Sequence, residues 1–232
     1  MKNLFMISIL FNLMLAALLI SALVYQFRKE EDPVAKISQF MPQKLAAKRI
    51  ERILKQSPDT VSLVMLGNSI TAYGGDWNNR LGRIDIRNSG QGGYTTGQML
   101  WLLDSCVIKA KPKYCFIMAG INDLSLGIPV ERVCANYHII IDTLMANGIR
   151  PVVQSTLFQT GNPAGNKNIG YLNDLLEAYC YEKNILFIDL NRTMSDHNGL
   201  LQELTTDGTH LSELGYEVWS DKLKWIISEL SL

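Results

Sequence analysis

The sequence predicts an α/β protein: a doubly wound parallel sheet of five strands, flavodoxin-like, with helices on both faces to make three layers. Three observations lead there. Short apolar runs of strand length alternate along the chain with stretches of helical periodicity, and strands separated by helices run parallel. The run Leu63-Val64-Met65-Leu66 is apolar at every position, which suits a strand covered on both faces. Apolar residues make up 47% of the 232, enough to fill the core of one domain of moderate size with an appendage to spare. The net charge is zero, so the charge balance does not point to nucleic acid, and no repeat or low-complexity tract is present.

Taken in order, residues 1–27 come first. Residues 3–27 carry no charge, and as a helix residues 4–25 would span about 33 Å, enough to cross a bilayer. A cleaved signal peptide is the rival reading, but the run is long for one, and Ile20 upstream of Ala22 makes an imperfect cleavage site. We expect an uncleaved, single-pass membrane anchor. Arg28, Lys29, Lys36 and Lys44 after the run, against Lys2 before it, favour a cytoplasmic domain. A short tail followed by an apolar run has the form of an export signal, and we expect the extracytoplasmic side.

Residues 28–58 read as a linker and a basic amphipathic stem helix. Pro33 and Pro42 punctuate the linker, and from residue 43 to 56 Ala46, Ile50 and Ile53 share a face, with Lys48, Arg49, Arg52 and Lys55 around the rest. Such a helix either packs on the domain with its charges in water or rests on anionic lipid.

The main domain is expected over residues 59–232. Strands are predicted at 61–66, 84–87, 113–118, 151–154 and 185–188. Helices are predicted at 77–81, from a Thr95 or Thr96 cap to about 109, from Pro129 to 147 with Gly148 closing, at 169–182, and from 212 to about 230. Cys106, Cys115, Cys134 and Cys180 lack the paired spacing of a metal site and fall in apolar or helical patterns, so they read as buried free thiols.

Four stretches carry chemistry. Gly67-Asn68-Ser69 follows the first strand, residues 88–93 (Asn-Ser-Gly-Gln-Gly-Gly) the second, and Gly120-Ile121-Asn122-Asp123 the third. Asp207-Gly208-Thr209-His210 lies just before the last helix. Loops after parallel strands share one edge of the sheet, where open α/β folds place their ligands. The residue types suit acyl transfer. Ser69 needs a base to become a nucleophile, His210 can serve, and Asp207 lies three residues away to orient the imidazole. Glycines 90, 92 and 93 and the Asn122 amide offer donors for an oxyanion.

These blocks resemble the SGNH subgroup of the GDSL-type esterases and lipases over about residues 61–230. The resemblance implies Ser69 as nucleophile, Asp207 and His210 as the other triad members, and an oxyanion hole of the Ser69 and Gly93 N–H groups with the Asn122 side chain. It implies no cofactor and no metal. The family's first block usually has aspartate where this chain has Asn68. The absence of Gly-x-Ser-x-Gly, with Thr71 in place of the second glycine, argues against an α/β-hydrolase elbow.

The expected reaction is hydrolysis of a small O-acyl ester, acetyl on a carbohydrate foremost. The partner is an acylated sugar or lipid, and the membrane is reached through the N-terminal helix. Lysophospholipase, thioesterase or acyltransferase chemistry on the same fold remains open, as does a membrane-tethered binding module that only keeps the fold. Tyr73-Gly74-Gly75-Asp76 and Trp77 are candidates for an acyl or sugar pocket, with a core tryptophan as the plain alternative. Residues 158–167 read as a loop at the site edge, His138 as a helix residue and His197 as an exposed turn.

Overall fold

The structure is a computed structural model and describes residues 43–230. The expected anchor and the linker as far as Pro42 lie outside the described residues. Among the described residues, no helix is long and apolar enough to cross a membrane.

The chain opens with α1 (Gln43–Lys55), then alternates strands and helices. The central elements are β1 (Leu63–Gly67), α2 (Ser69–Tyr73), α3 (Trp77–Leu81), β2 (Ile86–Gly90), α4 (Thr96–Leu102), β3 (Tyr114–Met118), α5 (Ile121–Ser125), α6 (Val130–Ala146), β4 (Arg150–Gln154), α7 (Pro163–Glu182) and β5 (Leu186–Ile188). A short α8 (Asn191–Met194), a two-stranded hairpin β6 (Ser195–Asp196) and β7 (Gly199–Leu200), and α9 (Glu213–Glu229) complete it. The five main strands are all parallel in the order β2-β1-β3-β4-β5, as the alternation predicts.

β1 is buried along its whole length. Leu63 and Met65 point into a layer built with Trp77, Tyr216, Trp219 and Leu223, while Val64 and Leu66 take the opposite face, following the period of two. Trp219 meets Trp77 edge-on at 4.7 Å between centroids, which joins α9 to α3 over the sheet. On the other side Tyr137 of α6 donates to the Ala119 carbonyl and accepts from the Ala119 N–H, fixing the chain just past β3. All four cysteines are free and buried.

Several boundaries differ from the sequence expectation. The second strand is Ile86–Gly90, not 84–87: Ile84 is exposed in a turn closed by the Arg83–Asp85 pair, and the ladder starts at Ile86 opposite Leu63. As an edge strand it carries polar residues, which hid its length. Asn78 covers that edge, donating to the Ile86 carbonyl and accepting its N–H. The helix capped by Thr95 ends at Leu102 and passes through a π turn, Leu103–Val107, because the Cys106 carbonyl is drawn to Arg87 and Ser89 of β2. α7 begins at Pro163 rather than 169, so the expected loop stops at Asn162, which caps the helix by accepting from the Gly165 N–H. Gly165 reads from the sequence as a loop residue. α1 packs on the domain, burying Ile53, with Lys48, Glu51 and Lys55 outward.

Candidate active site

The switch point of this sheet lies between β1 and β3, whose neighbours continue in opposite directions. The stretches singled out from the sequence meet there. β1 ends at Gly67, where a Cβ would sit 2.0 Å from Thr71 Oγ1 and 2.7 Å from the Met118 carbonyl oxygen. Only glycine lets α2 fold back so closely over the strand end. Asn68 caps α2, its Oδ1 accepting the Ile70 N–H at 3.0 Å, so Ser69 stands on the first turn of a helix rather than in a free turn. An aspartate would cap equally well.

A five-residue helix has little stability of its own. Side chains hold its far end instead. Trp77 Nε1 donates to the Thr71 carbonyl, Tyr216 Oη to the Ile70 carbonyl, and Asn88 Nδ2 reaches the carbonyls of Thr71, Ala72 and Gly75. Trp77 is 1% exposed and is a core residue. Tyr73 is 60% exposed, and its ring centroid lies 5.4 Å from that of His210.

Ser69 Oγ lies 3.0 Å from His210 Nε2, and His210 Nδ1 lies 2.7 Å from Asp207 Oδ2. The other carboxylate oxygen accepts the backbone N–H groups of His210 (2.7 Å) and Thr209 (2.9 Å). These bonds, the His210 N–H first and its ring second, hold the Asp207 carboxyl down at about 2. An ionised carboxylate only accepts, so it puts the imidazole proton on Nδ1 and leaves the Nε2 lone pair facing the serine hydroxyl.

The loop bearing Asp207 and His210 is braced twice. Thr205 Oγ1 donates to the His210 carbonyl and accepts the Gly208 N–H. From the loop after β4, Thr160 N–H donates to the Gly208 carbonyl and Gln159 Nε2 to Thr209 Oγ1. Gln159 is itself gripped by Asn162 and Asn166. The loop expected at the site edge is thus the scaffold of the histidine loop. Nothing in the sequence spacing pairs residues so far apart.

The second and third stretches are tied together. Gln91 N–H donates to the Gly67 carbonyl and extends the ladder by one rung. A turn closed by Tyr94 N–H on the Gln91 carbonyl follows, with exposed Gly93 at φ +77°. Asn122 Nδ2 donates to the Tyr94 carbonyl at 2.9 Å, and its second N–H is a further donor. Asp123, fully buried, accepts both the backbone N–H and the hydroxyl of Thr96, and burial pushes its carboxyl pKa up. Sequence reasoning quoted Asp123 without a role. A carboxylate in the first turn of the helix that follows a buried strand was the available signal.

His138 and His197 lie elsewhere. His138 stacks on Tyr179 and meets Cys134 Sγ, and His197 is an exposed hairpin residue near Asp196. Among the described residues, no three His, Cys, Asp or Glu side chains gather as a metal ion would need.

Residues 65–218 match the GDSL-like lipase/acylhydrolase family. The chain belongs to that family. Its five-stranded parallel sheet matches the fold of the SGNH hydrolases. The chain is 29% identical over 149 residues to an N-acylneuraminate cytidylyltransferase of Streptococcus agalactiae, covering 63% of this chain and 35% of the relative. It therefore spans about a third of that relative's length. An isoamyl acetate-hydrolyzing esterase of Saccharomyces cerevisiae is 26% identical over 166 residues, covering 62% of this chain and 69% of the esterase. The solved structure of a GDSL-like lipase from Bacteroides thetaiotaomicron shares the fold, with a TM-score of 0.68 at 24% identity over 81% of this chain and 97% of that one.

Proposed function

We propose that this member of the family hydrolyses a small O-acyl ester, foremost an acetyl group on a carbohydrate, through Ser69, His210 and Asp207. The observation that carries the proposal is the unbroken run of hydrogen bonds from Ser69 Oγ to His210 Nε2 and from His210 Nδ1 to Asp207. Ser69 attacks the ester carbonyl while His210 Nε2 takes the hydroxyl proton. The carbonyl oxygen becomes an oxyanion, which the N–H groups of Ser69 and Gly93 and the Asn122 amide stabilise. The imidazolium then gives its proton to the leaving alkoxide, and the acyl group stays on Ser69. Water, deprotonated by His210, attacks that acyl-enzyme in the same way and releases the acid. Asp207 stays ionised throughout and fixes the ring.

Two similarities support the substrate class. One relative is named for hydrolysing an acetate ester, and another for cytidylyl transfer to an N-acylneuraminate, a sugar acid. The test is steady-state hydrolysis of a short-chain aryl acetate and an O-acetylated sugar. The wild type should turn over both, and Ser69→Ala should retain neither activity. Turnover by Ser69→Ala at the wild-type rate would contradict the proposal.

We also propose that residues 3–27 anchor the protein in a membrane with residues 43–230 on the extracytoplasmic side. The uncharged run supports the anchor, and the short tail before it, the form of an export signal, supports the side.

A further inference from the structure

A cleft of about 730 Å³ opens between the C-terminal turn of α1 and the loops that follow β1 and β2. Arg52 and Gln56 form one wall, Tyr73 and Asp76 the other, and Asn88 and Gln91 the base. Its volume suits a ligand of sugar size. Ser69 and His210 do not line it, but Tyr73 joins the two places. One side of its ring approaches His210, and its hydroxyl lies 3.7 Å from where a Cβ on Gly92 would be. An ester whose carbonyl sits at Ser69 can lay its alcohol part across Tyr73 into the cleft.

Most polar groups in the cleft already have work. Asp76 caps α3 by accepting from Asn78 and Asn79, and Asn88 is bonded to the backbone around α2. Lys55 pairs with Glu51 at 2.8 Å. Arg52 differs. Its Nη2 donates to Oε1 of Gln91 at 3.1 Å, a neutral acceptor, and among the described residues it forms no ion pair. Gln91 is buried and held by the Gly67 carbonyl, so the guanidinium is pinned beside the Gly-rich turn. One of its five N–H donors is used there, and the planar fork matches a carboxylate or a phosphate.

We propose that Arg52 binds an anionic group on the alcohol part of the substrate, so that the preferred esters are those of acidic alcohols such as acidic sugars. The inference rests on the ester-hydrolase reading of the site. It goes further in naming the charge of the leaving group and the residue that selects it.

The test compares kcat/KM for 4-acetoxybenzoate and 4-acetoxyphenyl phosphate with that for the uncharged methyl 4-acetoxybenzoate, all with the full-length protein. The quantity read is the ratio of charged to uncharged ester, which cancels any general effect on catalysis. Arg52→Gln should lower that ratio at least about tenfold relative to wild type, as fits loss of a charge-assisted hydrogen bond. Arg52→Lys, which keeps the charge and loses the fork, should retain part of it. A fall with the carboxylate alone identifies an acidic sugar, and a fall with the phosphate alone a phosphorylated alcohol. An unchanged ratio for both probes in Arg52→Gln, with the methyl ester still hydrolysed, would overturn the anion site alone. Failure of wild type to hydrolyse the methyl ester would overturn the ester-hydrolase reading and the anion site with it.

Discussion

Ser69 has no reactivity apart from its neighbours, and the distances say which neighbours matter. Asn122 is one of three proposed oxyanion donors, tied by one N–H to the Tyr94 carbonyl. Asn122→Ala should cost on the order of 3 kcal/mol in the barrier, seen in kcat rather than KM. Asp207, held at about 2, stays ionised over the working range and keeps accepting from the His210 Nδ1–H. Asp207→Asn should lower kcat at every pH, because the wrong tautomer then faces Ser69. The same depression works on stability with a definite sign. It contributes above the ordinary carboxylate pKa of about 3.9 and is lost as pH falls through about 2. The half-exposed position of Asp207 keeps that contribution small.

At the scale of elements, the site depends on short pieces that cannot stand alone. α2 carries Ser69 at one end, and Asn88 from β2 binds the carbonyls at the other. Asn88→Ala removes these bonds, although Trp77 and the Gly75 N–H still reach the Thr71 and Ala72 carbonyls, and should cost about 1 kcal/mol, read as a lower urea midpoint with an unchanged slope. Turnover should fall with it, because Ser69 rides on the same helix. These pieces are also where the sequence was hardest to read. The long helices α6 and α9 show their period plainly and the strands β1 and β3 their unbroken apolar runs, and their predicted bounds lie within two residues of the structure. α2, α5 and α8 are too short for any periodicity. β2 hid behind Asn88 and Ser89, and the start of α7 behind its glycines. The bracing of the histidine loop by Gln159 and Thr160 joins residues about 50 apart and leaves no local mark.

For the molecule as a whole, strand order does what no single motif could. Parallel strands put their following loops on one edge, so Ser69, Asn122 and the Gly-rich turn could be grouped from chain order alone. The partners that hold them, Asp123 with Thr96 and Arg52 with Gln91, depend on which helix packs where and had to be seen. The proposed anchor also belongs at this scale. The full-length protein should remain with membranes through a carbonate wash, and a chain shortened to begin at Pro42 should be released yet active. Release of the full-length protein would mark residues 1–27 as a cleaved leader or a loosely held segment. The central claim is that Ser69 is the nucleophile and His210 its base. Peptide mapping by mass spectrometry after treatment with a fluorophosphonate tests this most directly. The account predicts a single phosphonylated site at Ser69, absent in Ser69→Ala and formed at least about a hundredfold more slowly in His210→Ala. A protein that takes no label, or one labelled elsewhere with Ser69 untouched, would contradict it.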